Sequence, residues 1–364
     1  MILRQELFRG RLGRAWLTGL AVALAIASWS CSDDDPTQPE DDSTPVAADF
    51  DGAVANDWFD LMLRVTKSTP GYSPPVAARS FLCAGISLYE TVVRGMPDFQ
   101  SLAGHVNGVG SIPAPEAGEI HWGAAANAAL AAAVLALYPT AVSEDSAAVA
   151  ALKNHWNDTF AMETSSEVMT RSSAYGNAVA GAVFDEARND GGHEGYAHNF
   201  PPEYTPPTGE GLWVPTPPDF QPALQPYWGD VRSCLSENVT TVQPAPPPAF
   251  STETTSFFYA QALEVLAVVN ALTPAQRTIA EFWSDDPGRT STPPGHSISI
   301  ATQVLRGEDA NLAEAAETYA KLGMAVHDAF VSCWKAKYTY NLVRPVTYIQ
   351  QLMDPDWTSI LTVC

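Results

Sequence analysis

Between His121 and Pro139 the chain reads HWGAAANAALAAAVLALYP, nine alanines among leucines and valines with no Asp, Glu, Lys or Arg. Alanine is the strongest helix former, and the segment is too long for an ordinary strand. It therefore predicts a helix, stopped where Pro139 can neither donate a hydrogen bond nor fit against the preceding turn. Such a helix offers no polar face to water, so other helices must surround it. Its small side chains let neighbouring backbones come close. A chain built round this segment is committed to a packed helical bundle.

The flanking sequence agrees. WFDLMLRVTK is amphipathic, and PPVAARSFLCAGISLYETVVRG opens on prolines and closes on a glycine, as helices do. AVSEDSAAVAALKNHWNDTFAM and SSAYGNAVAGAVFDEARND continue the pattern. From His198 to Pro248 prolines cluster among Trp and Phe, which predicts one long ordered loop wrapped on a surface. Helical signals resume in TSFFYAQALEVLAVVNAL, TPAQRTIAEFW and NLAEAAETYAKLGMAVHDAFVSCWKAKYTYN. No alternating strand run, P-loop, G-x-S-x-G or internal repeat occurs. The expected class is all-α.

A formal charge of −22 over 364 residues argues against nucleic acid and anionic membrane surfaces as partners. The five cysteines form no CxxC pair, which argues against a zinc site or a dense disulfide framework. At the N-terminus, Arg4, Arg9, Arg11 and Arg14 precede the short apolar run WLTGLAVALAIASWS, which ends at Cys31. This resembles a lipoprotein signal peptide over residues 1–30, with Cys31 as the lipidated first mature residue. An exported protein follows, held to a membrane by the lipid on Cys31, in the periplasm or at the cell surface. Residues 31–47 are acidic and Pro-rich and read as a disordered tether; residues 48–364 form the helical domain.

Three motifs carry candidate chemistry. GGHEGYAH sets His193, Glu194 and His198 among glycines; the histidines are five apart, not the four a zinc helix needs, so a turn with exposed histidines is expected. STPPGHSIS places His296 at a helix opening, a weak signal for an anion-facing imidazole. The last long helix carries a core stripe of Leu312, Ala316, Tyr319, Gly323, Val326, Phe330 and Trp334. If that helix runs through to Arg344, then Lys337 and Arg344, seven residues apart, share one face. Arg344 must then lie at the helix end, since it precedes Pro345. Two cations on one face are explained by an anion between them, or equally by a basic helix end complementing the dipole.

KYTYNLVRP, with Lys337, six residues, then Arg344-Pro345, resembles the first signature of the vanadium-dependent haloperoxidases and the related type 2 phosphatidic acid phosphatases. The blocks PVAARSFLCAGISLYETVV, GLWVPTPPDFQPALQPYWGDV, FWSDDPGRTSTPPGH and DPDWT are similar to the bacterial haloperoxidase-like branch, from about Asp57 to Trp357. The resemblance implies a helical bundle of that type, with Lys337 and Arg344 on the equatorial oxygens of vanadate or phosphate and Trp334 in the apolar wall. Vanadate is the implied cofactor, with hydrogen peroxide and halide as partners of the oxyanion site; the acid phosphatase chemistry of the same superfamily is the alternative. The family's second signature, Pro-Ser-Gly-His, and its third, Ser-Arg then Gly-x-His, do not occur before the chain stops at DPDWTSILTVC. The resemblance therefore also implies a form truncated at its C-terminus, lacking the catalytic histidines and without turnover, and it keeps a non-catalytic surface-binding lipoprotein in view. Self-association as a homodimer stays open.

Overall fold

The computed structural model describes residues 44–361. The expected signal peptide, Cys31 and most of the tether lie outside the described residues. Its last positions are nevertheless held: the Trp122 indole donates to the Pro45 carbonyl over 2.8 Å, and Ala47 is buried. Packed chain thus begins a few residues before the expected boundary, because an indole N–H entering the core needs an acceptor.

Eleven α-helices and short 3-10 turns make up the described residues, with isolated bridges and no strand. The all-α class is as expected. The first five helices are α1 (Ala53–Ser68), α2 (Pro74–Val92), α3 (Trp122–Leu137), α4 (Ser143–Phe160) and α5 (Ser166–Ala187). The alanine-rich segment becomes α3, started by His121, whose Nδ1 accepts from Ala124 N–H at 3.1 Å. Small residues do set the spacing. A Cβ on Gly176 of α5 would collide with the Ala125 carbonyl of α3. A Cβ on Gly85 of α2 would come within 2.6 Å of the Tyr319 carbonyl.

Tyr319 belongs to the longest element, α10 (Leu312–Tyr340), which is capped by reciprocal Asn311 and Glu314 bonds. α10 runs along α2 through the main core, where Tyr319 stacks on Phe59 with centroids 3.7 Å apart. The Tyr319 hydroxyl donates to Asn56 Oδ1 and shares a bond with Thr302, on α9 (Thr292–Gly307). The 198–248 stretch contains two short elements, a 3-10 turn at Trp228–Asp230 and α6 (Glu237–Thr240). α7 (Phe257–Asn270) and α8 (Pro274–Phe282) follow, and α8 buries none of its residues.

The expected continuous helix to Arg344 is not formed. α10 stops at Tyr340, Asn341 turns left-handed (φ 44), and α11 (Pro345–Leu352) starts afresh with Pro345 at its first position. The reason is the one that bars Arg344 from helix: proline clashes with a helical predecessor. α11 packs with α7 in a second, smaller cluster containing Phe258, Ala262, Val346, Tyr348, Ile349 and Trp357.

Candidate oxyanion site

The last turns of α10 and the short link to α11 form one wall of a cavity of about 1100 Å³. Lys337 and Arg344 both line it, although they sit on different elements: Lys337 on α10 and Arg344 just before α11. The common helical face is therefore wrong and the common cavity right. Lys67, at the end of α1, also lines the cavity, against a single carboxylate, Asp219. In a chain of net charge −22, Lys67, Lys337 and Arg344 gather scarce basic side chains round one cavity.

Lys337 and Arg344 each rest on an aromatic ring. Lys337 Nζ lies 4.6 Å from the ring centroid of Trp334, and the Arg344 guanidinium lies 5.9 Å from that of Trp213. Arg344 Nη1 also donates to the buried Thr216 hydroxyl at 2.8 Å. Trp334 is not on the cavity surface. It stands behind Lys337, and its indole donates to the Leu224 carbonyl at 3.1 Å. Its role as a wall is replaced by one as a support, since a buried indole must spend its N–H on an acceptor.

Electrostatics mark Lys337. Burial, then the nearby Arg344 charge, pushes its ammonium below the usual lysine range, with the Cys333 thiol opposing. No carboxylate among the described residues pairs with Lys337. The side chain remains open to solvent through the cavity, and an ammonium placed this way is stabilised by an arriving anion.

The tyrosines between the two cations fix the cavity's far wall. Tyr338 Oη donates to the Leu224 carbonyl at 2.7 Å and Tyr340 Oη to the Pro244 carbonyl at 3.0 Å. Two backbone bonds clamp the Pro-rich stretch to the link itself: Trp213 N–H to Asn341 O at 2.7 Å, and Val343 N–H to Gly211 O at 2.9 Å. Trp213 and Thr216 were not found as site residues from sequence. They lie within the GLWVPTPPDF block, whose residues resemble the family but carry no local signal of these two roles.

The other motifs fall elsewhere. His193 and His198 sit in the expected turn, away from this cavity. His296 opens α9, where its Nδ1 is 2.7 Å from Asp285 Oδ2 and its ring stacks on Trp283. No histidine is among the residues that line the cavity.

The family model for the VCPO second helical-bundle domain matches residues 317–359, the stretch that carries both cations. A solved bacterial vanadium-dependent iodoperoxidase matches with 30% identity and a TM-score of 0.76, over 86% of this chain and 75% of that one. The chain belongs to the vanadium-dependent haloperoxidase family. A second haloperoxidase structure, an apo-type bacterial vanadium-dependent chloroperoxidase, matches at 15% identity and a TM-score of 0.52, over 78% of this chain and 66% of that one. At that distance the likeness is one of fold. No curated protein sequence matches this haloperoxidase-like chain.

The residues present fit one side of a vanadate site. Two ring-supported cations in a concave wall suit the charged oxygens of a tetrahedral anion, and no histidine faces them from the described residues.

Proposed function

We propose that the cavity binds vanadate or phosphate through Lys337 and Arg344, and that the chemistry it serves is peroxide-dependent oxidation of a halide. The observation that carries this reading is the pair of cations brought from two elements to one cavity, with the Lys337 charge left for an anion to match. Vanadate, when bound, supplies the centre at which peroxide is activated. The chain's own residues bind and orient: Lys337 and Arg344 hold charged oxygens, and Thr216 fixes the guanidinium plane. Such fixed charges stabilise an anion without reorganising, which is how preorganised sites act.

Acid–base work is a different matter. No imidazole lines the cavity, so the described residues provide binding without a proton shuttle. This favours oxyanion binding without turnover from these residues alone, and it disfavours phosphatase activity, which would also need a histidine nucleophile. We further propose that the chain is exported and held by a lipid on Cys31; mass spectrometry of the mature N-terminus reads that out directly.

The test is a titration of the 364-residue chain with orthovanadate and, separately, phosphate, followed by an iodide-oxidation assay with vanadate and peroxide. Expected are saturable binding weakened at least ~10-fold by Lys337→Ala, about 1.4 kcal/mol, and no vanadate-dependent turnover. Binding indifferent to both Lys337→Ala and Arg344→Ala would refute the site. Turnover abolished by Lys337→Ala would refute the claim that catalysis is missing.

A further inference from the structure

Asn341 stands between the two elements that carry the cations, and its polar groups reach towards both. Its backbone N–H donates to the Lys337 carbonyl at 3.0 Å, closing the last turn of α10. Its carbonyl accepts the Trp213 N–H at 2.7 Å, and Trp213 is the ring beside the Arg344 guanidinium. The Asn341 Nδ2 donates to the Tyr338 carbonyl, and the Tyr204 hydroxyl lies 3.5 Å from its Oδ1. One residue thus holds the backbone of one cation and the support of the other.

Its conformation decides where the chain goes next. At φ 44 and ψ 40 Asn341 is left-handed, and among the described residues it is the one non-glycine residue of positive φ on the cavity lining. Asparagine tolerates this region better than most side chains do. A helix carried on through this point would set Arg344 two turns beyond Lys337, about 10 Å further along the axis. Instead the chain turns back. Leu342 bridges to Leu212, and Val343 enters the small cluster round Tyr348. Arg344 then leaves in extended backbone, with Nη1 on the Thr216 hydroxyl. The facing backbone is equally constrained, since Gly211 sits at φ 73 and a Cβ there would come within 2.5 Å of the Phe250 ring.

We infer that Asn341 is a positioning residue of the oxyanion site: its left-handed turn and its bonds to both sides bring Arg344 to the cavity that Lys337 lines. The ligand is taken from the oxyanion reading, but the placement of Arg344 can be measured without any ligand. After burial, the Arg344 charge is the next cause of the lowered Lys337 ammonium, so Lys337 reports how near Arg344 stands.

The first measurement is therefore a pH titration of Lys337 by NMR in the full chain labelled with ¹³C-lysine, its signal assigned by its loss in Lys337→Met. The Lys337 midpoint should rise in Arg344→Ala and in Asn341→Ala, where alanine disfavours the turn and Arg344 is withdrawn for part of the time. It should keep the parent value in Asn341→Gly, because glycine adopts positive φ readily. The second measurement is titration of the same proteins with orthovanadate. Asn341→Ala should bind about 10-fold more weakly, in proportion to the fraction of chains left competent. Asn341→Gly should stay within about 3-fold of the parent. Adding Asn341→Ala to Arg344→Ala should weaken binding no further, as expected of two residues that act as one. Circular dichroism melts check that each variant is folded; Asn341→Ser, milder in the same direction, serves if Asn341→Ala melts early. A Lys337 midpoint unmoved by Asn341→Ala, no rescue by glycine, or a loss of affinity that persists in full on the Arg344→Ala background would each overturn the inference. If the parent takes up no vanadate while the Lys337 midpoints move as expected, the oxyanion reading falls and the placement of Arg344 by Asn341 stands.

Discussion

The two cations of the oxyanion site hang from two cores of very different size. Lys337 rises from α10, whose earlier turns lie in a core drawn from α1 to α5 and α9. Arg344 precedes α11, which is secured mainly by α7 and a handful of side chains around Tyr348 and Ile349. The packing beside that second cluster is thin: Phe257 on α7 and Ile279, Phe282 and Trp283 on and after α8 are all exposed. A rigid cation thus faces one held by a lighter anchor. Binding strength and global stability should therefore respond to different residues.

The largest effect tests the large core. Phe59 is fully buried and stacked on Tyr319, so Phe59→Ala should cost about 3–5 kcal/mol by transfer and cavity terms. In a thermal melt this lowers Tm for the whole domain. A local loss, with α10 still protected from hydrogen exchange, would show that the large core is not one cooperative unit.

Next comes the small cluster. Ile349→Ala removes a fully buried side chain from α11. Hydrogen exchange should accelerate in α11 while α2 and α10 keep their protection. Oxyanion affinity should fall about 10-fold, roughly 1.4 kcal/mol, because Arg344 loses its platform. Equal loss of protection in α2 would mean that the two clusters unfold together.

The smallest effect concerns Lys337 itself. Its folded pKa lies below the unfolded value, so between the two the unfolded chain binds more protons. Stability without anion therefore rises as pH climbs through the lowered pKa, and the charged form is a cost at neutral pH. Lys337→Met should leave stability unchanged or raise it by no more than about 1 kcal/mol, since solvent reaches the ammonium through the cavity. Vanadate or phosphate affinity in the parent should fall as pH rises through the same lowered pKa, a fall that the Met variant lacks. A destabilised Met variant would make Lys337 a structural residue.

Much of this arrangement can be read in the sequence, and the limits have physical causes. The alanine-rich helix announces itself because composition alone denies it a solvent face. Lys337 and Arg344 stand out because cations are scarce in so acidic a chain. Their partners do not, because Thr216 and Trp213 lie more than a hundred residues away on a stretch without periodicity. The stripe on α10 is correct at Leu312, Ala316, Tyr319, Gly323 and Trp334, whereas Val326 and Phe330 are only half-buried. In that stretch the buried face shifts to His327 and Asp328. Asp328 is drawn inward by three donors at and just before α6, Cys234 N–H, Leu235 N–H and Asn238 Nδ2, and no local pattern encodes such a bond set. The break at Asn341 was signalled by Pro345, but the signal does not say that a new helix follows.

At its last turns the side chains of α10 give hydrogens to the Pro-rich stretch; further back the helix receives them, Asp328 from Cys234, Leu235 and Asn238 and Ser332 from Gln243. Trp334, Tyr338 and Tyr340 give hydrogens, and the carbonyls of Leu224 and Pro244 receive them. A proline has no backbone hydrogen to give, so the proline clusters leave parts of this stretch short of donors. Such a surface makes a poor template for a passing strand, whose ladder needs donors and acceptors in alternation. The prolines in the wall of the oxyanion cavity thus work against pairing of this long non-helical segment with its own copies.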